Sequence, residues 1–134
     1  MKIDGGCYCG KITFTSEIDP NAISICHCAD CQTLSGSAFR VSVRADASKT
    51  RFTGTPKSFI KTAESGNRRR QGFCGDCGTA LFACDEVDPQ SYMLRVGTIA
   101  QRAQFHPKGQ IWARSKLPWL DEIAGTPAIA TDKA

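Results

Sequence analysis

Seven of the eight cysteines of this 134-residue chain stand in three tight units, and those units restrict its folding more than any other feature. The first is Gly6-Cys7-Tyr8-Cys9-Gly10. The second is Cys26-His27-Cys28-Ala29-Asp30-Cys31. The third is Phe73-Cys74-Gly75-Asp76-Cys77-Gly78. Cys84 ends the apolar run Ala80-Leu81-Phe82-Ala83-Cys84 and reads as a buried small residue. The first residues, Met1 to Gly6, carry no apolar stretch of the signal-peptide kind. The expected location is therefore cytoplasmic. A reducing cytoplasm disfavours structural disulfides, so metal binding is the better reading of the thiols.

The third unit is the simplest to interpret. A C-x-x-C-G turn points both sulfurs to one side, and its glycine takes the left-handed backbone that closes the turn. Two thiolates are half of a structural zinc site, which usually has four ligands. Cys7 and Cys9 are the natural partners, because residues two apart on a strand share a face. A site made of Cys7, Cys9, Cys74 and Cys77 closes a long loop, where a metal staple is most effective. Four thiolates around zinc leave a net negative charge. Lys11 and the run Arg68-Arg69-Arg70 are the candidate cations to offset it.

Cys26, Cys28 and Cys31 then form a three-sulfur set. Three protein ligands and one exchangeable position characterise catalytic zinc. The alternative is a closed site, completed by His27 or Cys84. If Cys26 and Cys28 share a face, His27 projects away from it.

Alternation of period two dominates the rest of the chain, as in Phe39-Arg40-Val41-Ser42-Val43-Arg44 and Tyr92-Met93-Leu94-Arg95-Val96. Further short strands are expected at Ile12–Thr15 and Ser58–Lys61 and near Ile23, Ala80 and Ile111. Turn signals stand at Asp19-Pro20-Asn21, Gly54-Thr55-Pro56, Ser65-Gly66-Asn67, Asp88-Pro89 and His106-Pro107. One short helical turn is expected after Cys28 and another around Trp119 to Ile123. Arg68-Arg69-Arg70 reads as a charged loop or hairpin tip. The fold class is all-β, with one domain over residues 1–124 and a small polar tail, expected to fray, over residues 125–134. No stretch is apolar enough to span a membrane. The formal charge of +4 is too mild for a dedicated nucleic-acid binder and suits a small anionic partner.

Together the cysteine units resemble the glutathione-dependent formaldehyde-activating enzyme (GFA) family, which includes the centromere protein V domain. Gly36-Ser37 with Phe39, the segment Phe105-His106-Pro107 through Ile111, Trp119, and Gly125-Thr126-Pro127 extend the likeness over nearly the whole chain. The resemblance implies a β-tent of short antiparallel sheets folded around a structural zinc. It implies that Cys7, Cys9, Cys74 and Cys77 hold that zinc, and that Cys26, Cys28 and Cys31 hold a second, more labile one. It also implies a carbon–sulfur lyase that joins formaldehyde and glutathione reversibly as S-(hydroxymethyl)glutathione. In that chemistry Cys26, Cys28 and Cys31 serve catalysis, and Arg40, Arg44 and Arg68–Arg70 are candidates to hold the carboxylates of glutathione. The alternative is a zinc- and thiol-binding module without turnover.

Overall fold

The structure is a computed structural model, and it describes residues 1–132. The last two residues of the expected tail lie outside the described residues. Antiparallel strands with few helices make up the chain. They are β1 (Lys2–Gly6), β2 (Thr13–Cys26), β3 (Arg40–Asp46), β4 (Arg51–Thr53), β5 (Lys57–Thr62), β6 (Arg68–Phe73), β7 (Ala80–Asp85), β8 (Ser91–Arg95) and β9 (Gly109–Ile111). One α-helix, α1 (Ala29–Ser35), follows β2. No described helix is long and apolar enough to cross a membrane.

Strand β2 organises the fold because it belongs to two sheets. Its first half pairs with β1 and β4; its second half pairs with β3, which continues through β8, β7 and β6 to β5. In the first half Phe14, Ser16 and Ile18 point inward and their neighbours outward, the half-buried pattern expected of such a strand. The Asp19-Pro20-Asn21 signal lies at the change of sheet. Sequence reading placed a break between strands there, whereas the strand continues through a register shift between Ile18 and Ile23. The Asn21 N–H donates to Asp19 Oδ1 at 2.9 Å, so the turn chemistry acts inside a bulge. Phe14, Phe52, Phe82 and Tyr92 join the two sheets, with ring centroids 5.0–5.8 Å apart. Around them Ile23, Val43, Leu81, Leu94 and Ile99 are fully buried.

Two expectations need correction. Arg68-Arg69-Arg70 is not a loop; it opens β6, and the hairpin tip lies just before it at residues 63–67. Arg68 bonds Glu86 at 2.6 Å and Arg69 bonds Asp85 at 2.7 Å. Arg70 bonds Ser58 and the Glu86 carbonyl. Charge lowers strand propensity, but cross-strand carboxylates compensate. In β3 the expected alternation also fails, since Ser42 and Val43 are both buried. One departure from antiparallel pairing is β9, which runs parallel to the end of β2 and sets Ile111 beside Cys26. The short helical turns appear as α1 and as the 3-10 segment Pro118–Gly125.

Candidate metal and thiol site

The first and third cysteine units meet as two facing turns. Cys7, Cys9, Cys74 and Cys77 have sulfurs all within 4.8 Å of one another. Cys9 Sγ lies 3.6 Å from Cys7 Sγ and 3.7 Å from Cys74 Sγ. Sulfurs about 2.3 Å from a central zinc define a tetrahedron with edges of about 3.8 Å, so these separations suit the ion. Each turn is closed by a left-handed glycine, Gly10 at φ 80° and Gly78 at φ 79°. The Gly78 N–H donates to the Cys74 carbonyl at 2.8 Å, and the Ile12 N–H donates to Cys7 Sγ at 3.3 Å. Lys11 meets Asp76 at 3.4 Å in an exposed pair that links the outsides of the two turns. Lys11 and the arginine run are thus already paired, and N–H groups and the Thr79 hydroxyl face the sulfurs instead.

These thiols ionise unequally. The Thr79 hydroxyl and backbone N–H draw Cys77 down to about 5. At Cys9 the Lys11 N–H favours the thiolate, but desolvation and the three neighbouring sulfurs push the thiol up to about 11. Desolvation opposes ionisation of Cys7 too, yet the Ile12 N–H and the adjacent sulfurs leave it lowered. One thiolate repels the next, so four cannot form together without a cation. A divalent ion resolves that conflict, and this donor set fits one.

The second unit is gathered by the end of β2 and the start of α1. Cys26, Cys28 and Cys31 form the second cluster, with sulfurs again within 4.8 Å. Cys28 caps the helix, its sulfur accepting from the Cys31 N–H at 3.3 Å. Burial first, then the neighbouring Cys28, push Cys31 up to about 12. Burial opposes ionisation of Cys28, but the Cys31 N–H, the other sulfurs and Lys61 bring it below its ordinary value. Lys61 is also paired with Asp30 at 2.8 Å.

His27 belongs to neither cluster. It is buried, and its Nε2–H donates to Gln110 Oε1 at 2.7 Å. Gln32 ties this corner together by donating to the carbonyls of His27 and Ser115. Cys84 is fully buried in β7, outside both clusters, and burial pushes its thiol up.

The matching family model is glutathione-dependent formaldehyde-activating enzyme, over residues 2–115. The chain belongs to the glutathione-dependent formaldehyde-activating enzyme family. Its fold is similar to the crystal structure of a Rhodobacter sphaeroides protein, with a TM-score of 0.60 at 18% identity, covering 80% of this chain and 98% of that one. No curated protein matches the chain. For this GFA-family member, membership points to a glutathione- and formaldehyde-related metal-binding role, and both clusters are compatible with zinc.

Two hollows matter here: one borders the three-cysteine cluster at Cys28, and the other is lined by Arg40, the register partner of Cys26. One, of about 350 Å³, is lined by Cys28, Asp30, Lys61, Glu64, Trp112 and Ser115. Trp112 holds a left-handed backbone at φ 55°, a conformation that costs a bulky residue some strain. The other, of about 200 Å³, contains Arg40 and Arg95 among aromatic side chains. Arg95, Gln71, Lys61 and Trp112 were not foreseen as site residues. Arg44, which was a candidate, lines a different hollow with Glu17 and Asp46. Burial, and then the charge of Arg40, bring Arg95 down to about 9.

Proposed function

We propose that this GFA-family protein is a zinc-dependent carbon–sulfur lyase of the S-(hydroxymethyl)glutathione synthase type, with residues 1–124 as its working unit. The observation that carries the reading is the contrast between the clusters. One has four sulfurs; the other has three, with neither His27 nor Cys84 near enough to complete it. Cys7, Cys9, Cys74 and Cys77 are read as holding a structural zinc. Cys26, Cys28 and Cys31 are read as holding a second, more labile one in a cytoplasmic enzyme.

A zinc ion in the second cluster would supply a Lewis acid with one open position, where an incoming thiol such as that of glutathione is held as its thiolate. The chain's own groups prepare that position. The Cys31 N–H and Lys61 favour a thiolate at Cys28, Gln32 fixes the adjoining His27 backbone carbonyl, and Gln110 holds the His27 ring. The hollow beside Cys28 and Trp112 admits the reactants. In the reaction a carbon–sulfur bond forms to the formaldehyde carbon, and its oxygen takes the proton given up by the thiol. Glutathione and formaldehyde also combine unaided, so the site's task is to hold the thiol ionised and oriented.

Cobalt-substituted protein tests this reading. Added glutathione should change its absorption spectrum, S-methylglutathione should not, and Cys26→Ala should abolish the change together with any turnover above the uncatalysed rate. A spectral change without turnover would make the protein a thiol-binding module. A spectrum indifferent to glutathione would mean a closed second site and end the lyase reading.

A further inference from the structure

The 200 Å³ cavity is lined by Phe73 and Gly78, next to Cys74 and Cys77 in the chain, and by Arg40, and it holds two guanidinium groups that no carboxylate meets among the described residues. Arg95 is 8% exposed. It donates through Nη1 to Ser42 Oγ at 2.8 Å and through Nη2 to Gln71 Oε1 at 3.0 Å. Its Nε is enclosed without a partner. Both acceptors are neutral, so the buried charge is solvated but not balanced. Arg40 adds a second positive charge to the same walls, where like charges repel. An anion between the two guanidiniums would favour both charges.

The register connects this cavity to the thiol site. Arg40 stands directly opposite Cys26 in the β2–β3 ladder, and Ser42 directly opposite Arg95 in the β3–β8 ladder. Opposed residues of an antiparallel pair project to the same face, as do residues two apart on one strand. Cys26, Arg40, Ser42 and Arg95 therefore share one face. The thiols of Cys31 and Cys26 favour the charge on Arg95, and Arg40 favours a thiolate at Cys31, but no hydrogen bond runs from either guanidinium to a sulfur. Phe59, Phe73 and Phe82 complete the lining with apolar surface. Charge at one point and aromatic walls around it suit a carboxylate on a short apolar chain. A volume of about 200 Å³ is below the roughly 300–1,000 Å³ of sites that enclose drug-sized ligands, so a whole tripeptide does not fit.

We propose that this cavity is a carboxylate subsite, holding the acid group of a thiol substrate against Arg95 and Arg40 while its sulfur reaches Cys26, Cys28 and Cys31. The inference rests on the thiol-binding reading of that cluster and names the substrate class: thiols with a carboxylate a few bonds from sulfur. Either a small mercapto acid or one carboxylate-bearing arm of glutathione has this chemistry.

The test compares 3-mercaptopropionate, 1-propanethiol, glutathione and propionate on cobalt-loaded protein, by absorption and by NMR of the Arg95 Nε–H. In the wild type 3-mercaptopropionate should bind about tenfold or more tighter than propanethiol, as a charged hydrogen bond allows. Arg95→Gln and the half-buried Arg40→Gln should erase most of that advantage and leave propanethiol unaffected. Ala80→Leu, which fills the cavity, should do the same if Arg95→Gln does not fold. Glutathione losing affinity in parallel would assign its carboxylate to the cavity; glutathione unaffected would restrict the subsite to small mercapto acids. Equal binding of the two small thiols, with the spectrum responding to both, would overturn the subsite and leave the zinc reading intact. So would an Arg95→Gln protein with weaker metal binding and an unchanged thiol preference, since the guanidinium would then serve the cluster. If no thiol alters the spectrum but propionate still shifts the Arg95 resonance in wild type and not in Arg40→Gln, the thiol reading fails and the anion subsite stands. No response to propionate there would overturn both.

Discussion

The sulfurs of Cys9 and Cys74 lie 3.7 Å apart although 65 residues separate them in the chain. Their contact fastens the turn after β1 to the turn between β6 and β7, and so joins the two sheets that share β2. Replacing Cys74 with Ser should therefore cost the fold. Structural zinc contributes about 10–16 kcal/mol in small zinc domains, comparable with the ~5–15 kcal/mol total stability of a typical domain. Circular dichroism of Cys74→Ser protein should show loss of cooperative melting. A soluble variant with a native-like transition and no metal in this cluster would contradict the assignment.

The second cluster comes from one short segment and closes no long loop. Cys28→Ser should leave a cooperative fold, lowering the melting temperature by less than about 8 °C, with loss of one metal equivalent. Differential scanning calorimetry paired with metal analysis checks both parts. Collapse of the fold would mean that this cluster is structural too.

Cys84 gives a pH signature. Its folded-state pKa lies above the ordinary 9.0 because burial disfavours the thiolate. A raised pKa means stability that is complete below 9 and lost as pH rises through the folded value. Cys84→Ala should remove that alkaline loss while keeping the metal content of wild type. Melting curves at pH 8 and pH 10.5 compare the two; an identical pH response would show that Cys84 does not ionise with unfolding.

The arginine run should matter little to the thiol. Arg69 is already engaged with the exposed Asp85, and such pairs are screened by solvent. Arg69→Ala should shift melting by no more than about 4 °C and leave glutathione affinity within about twofold. A large loss of affinity in calorimetry would return Arg69 to the substrate site.

Some of these features were legible before any coordinates. Cysteine units announce themselves because thiols are rare and their spacing limits where sulfurs can point, and the alternation at Ile12–Thr15 marks the start of a strand whose first half has one wet face. Other features depend on partners that the local sequence does not contain. Arg68 and Arg69 became strand residues through Asp85 and Glu86, on the next strand. Pro20 looked like a strand end because it cannot donate a ladder bond, yet a bulge needs no donor there. Arg95 fell on the polar side of an alternating strand, which implied solvent; Ser42 and Gln71 from neighbouring strands enclose it instead.

Metal counting during mild chelation tests most directly whether the chain holds two different sites. Protein loaded with zinc should contain two equivalents. A weak chelator should remove one while the fold, followed by circular dichroism, stays intact, and the thiols then exposed to alkylation should be Cys26, Cys28 and Cys31. A single equivalent, or two lost together as the protein melts, would contradict the division into a closed structural site and an open thiol-binding one.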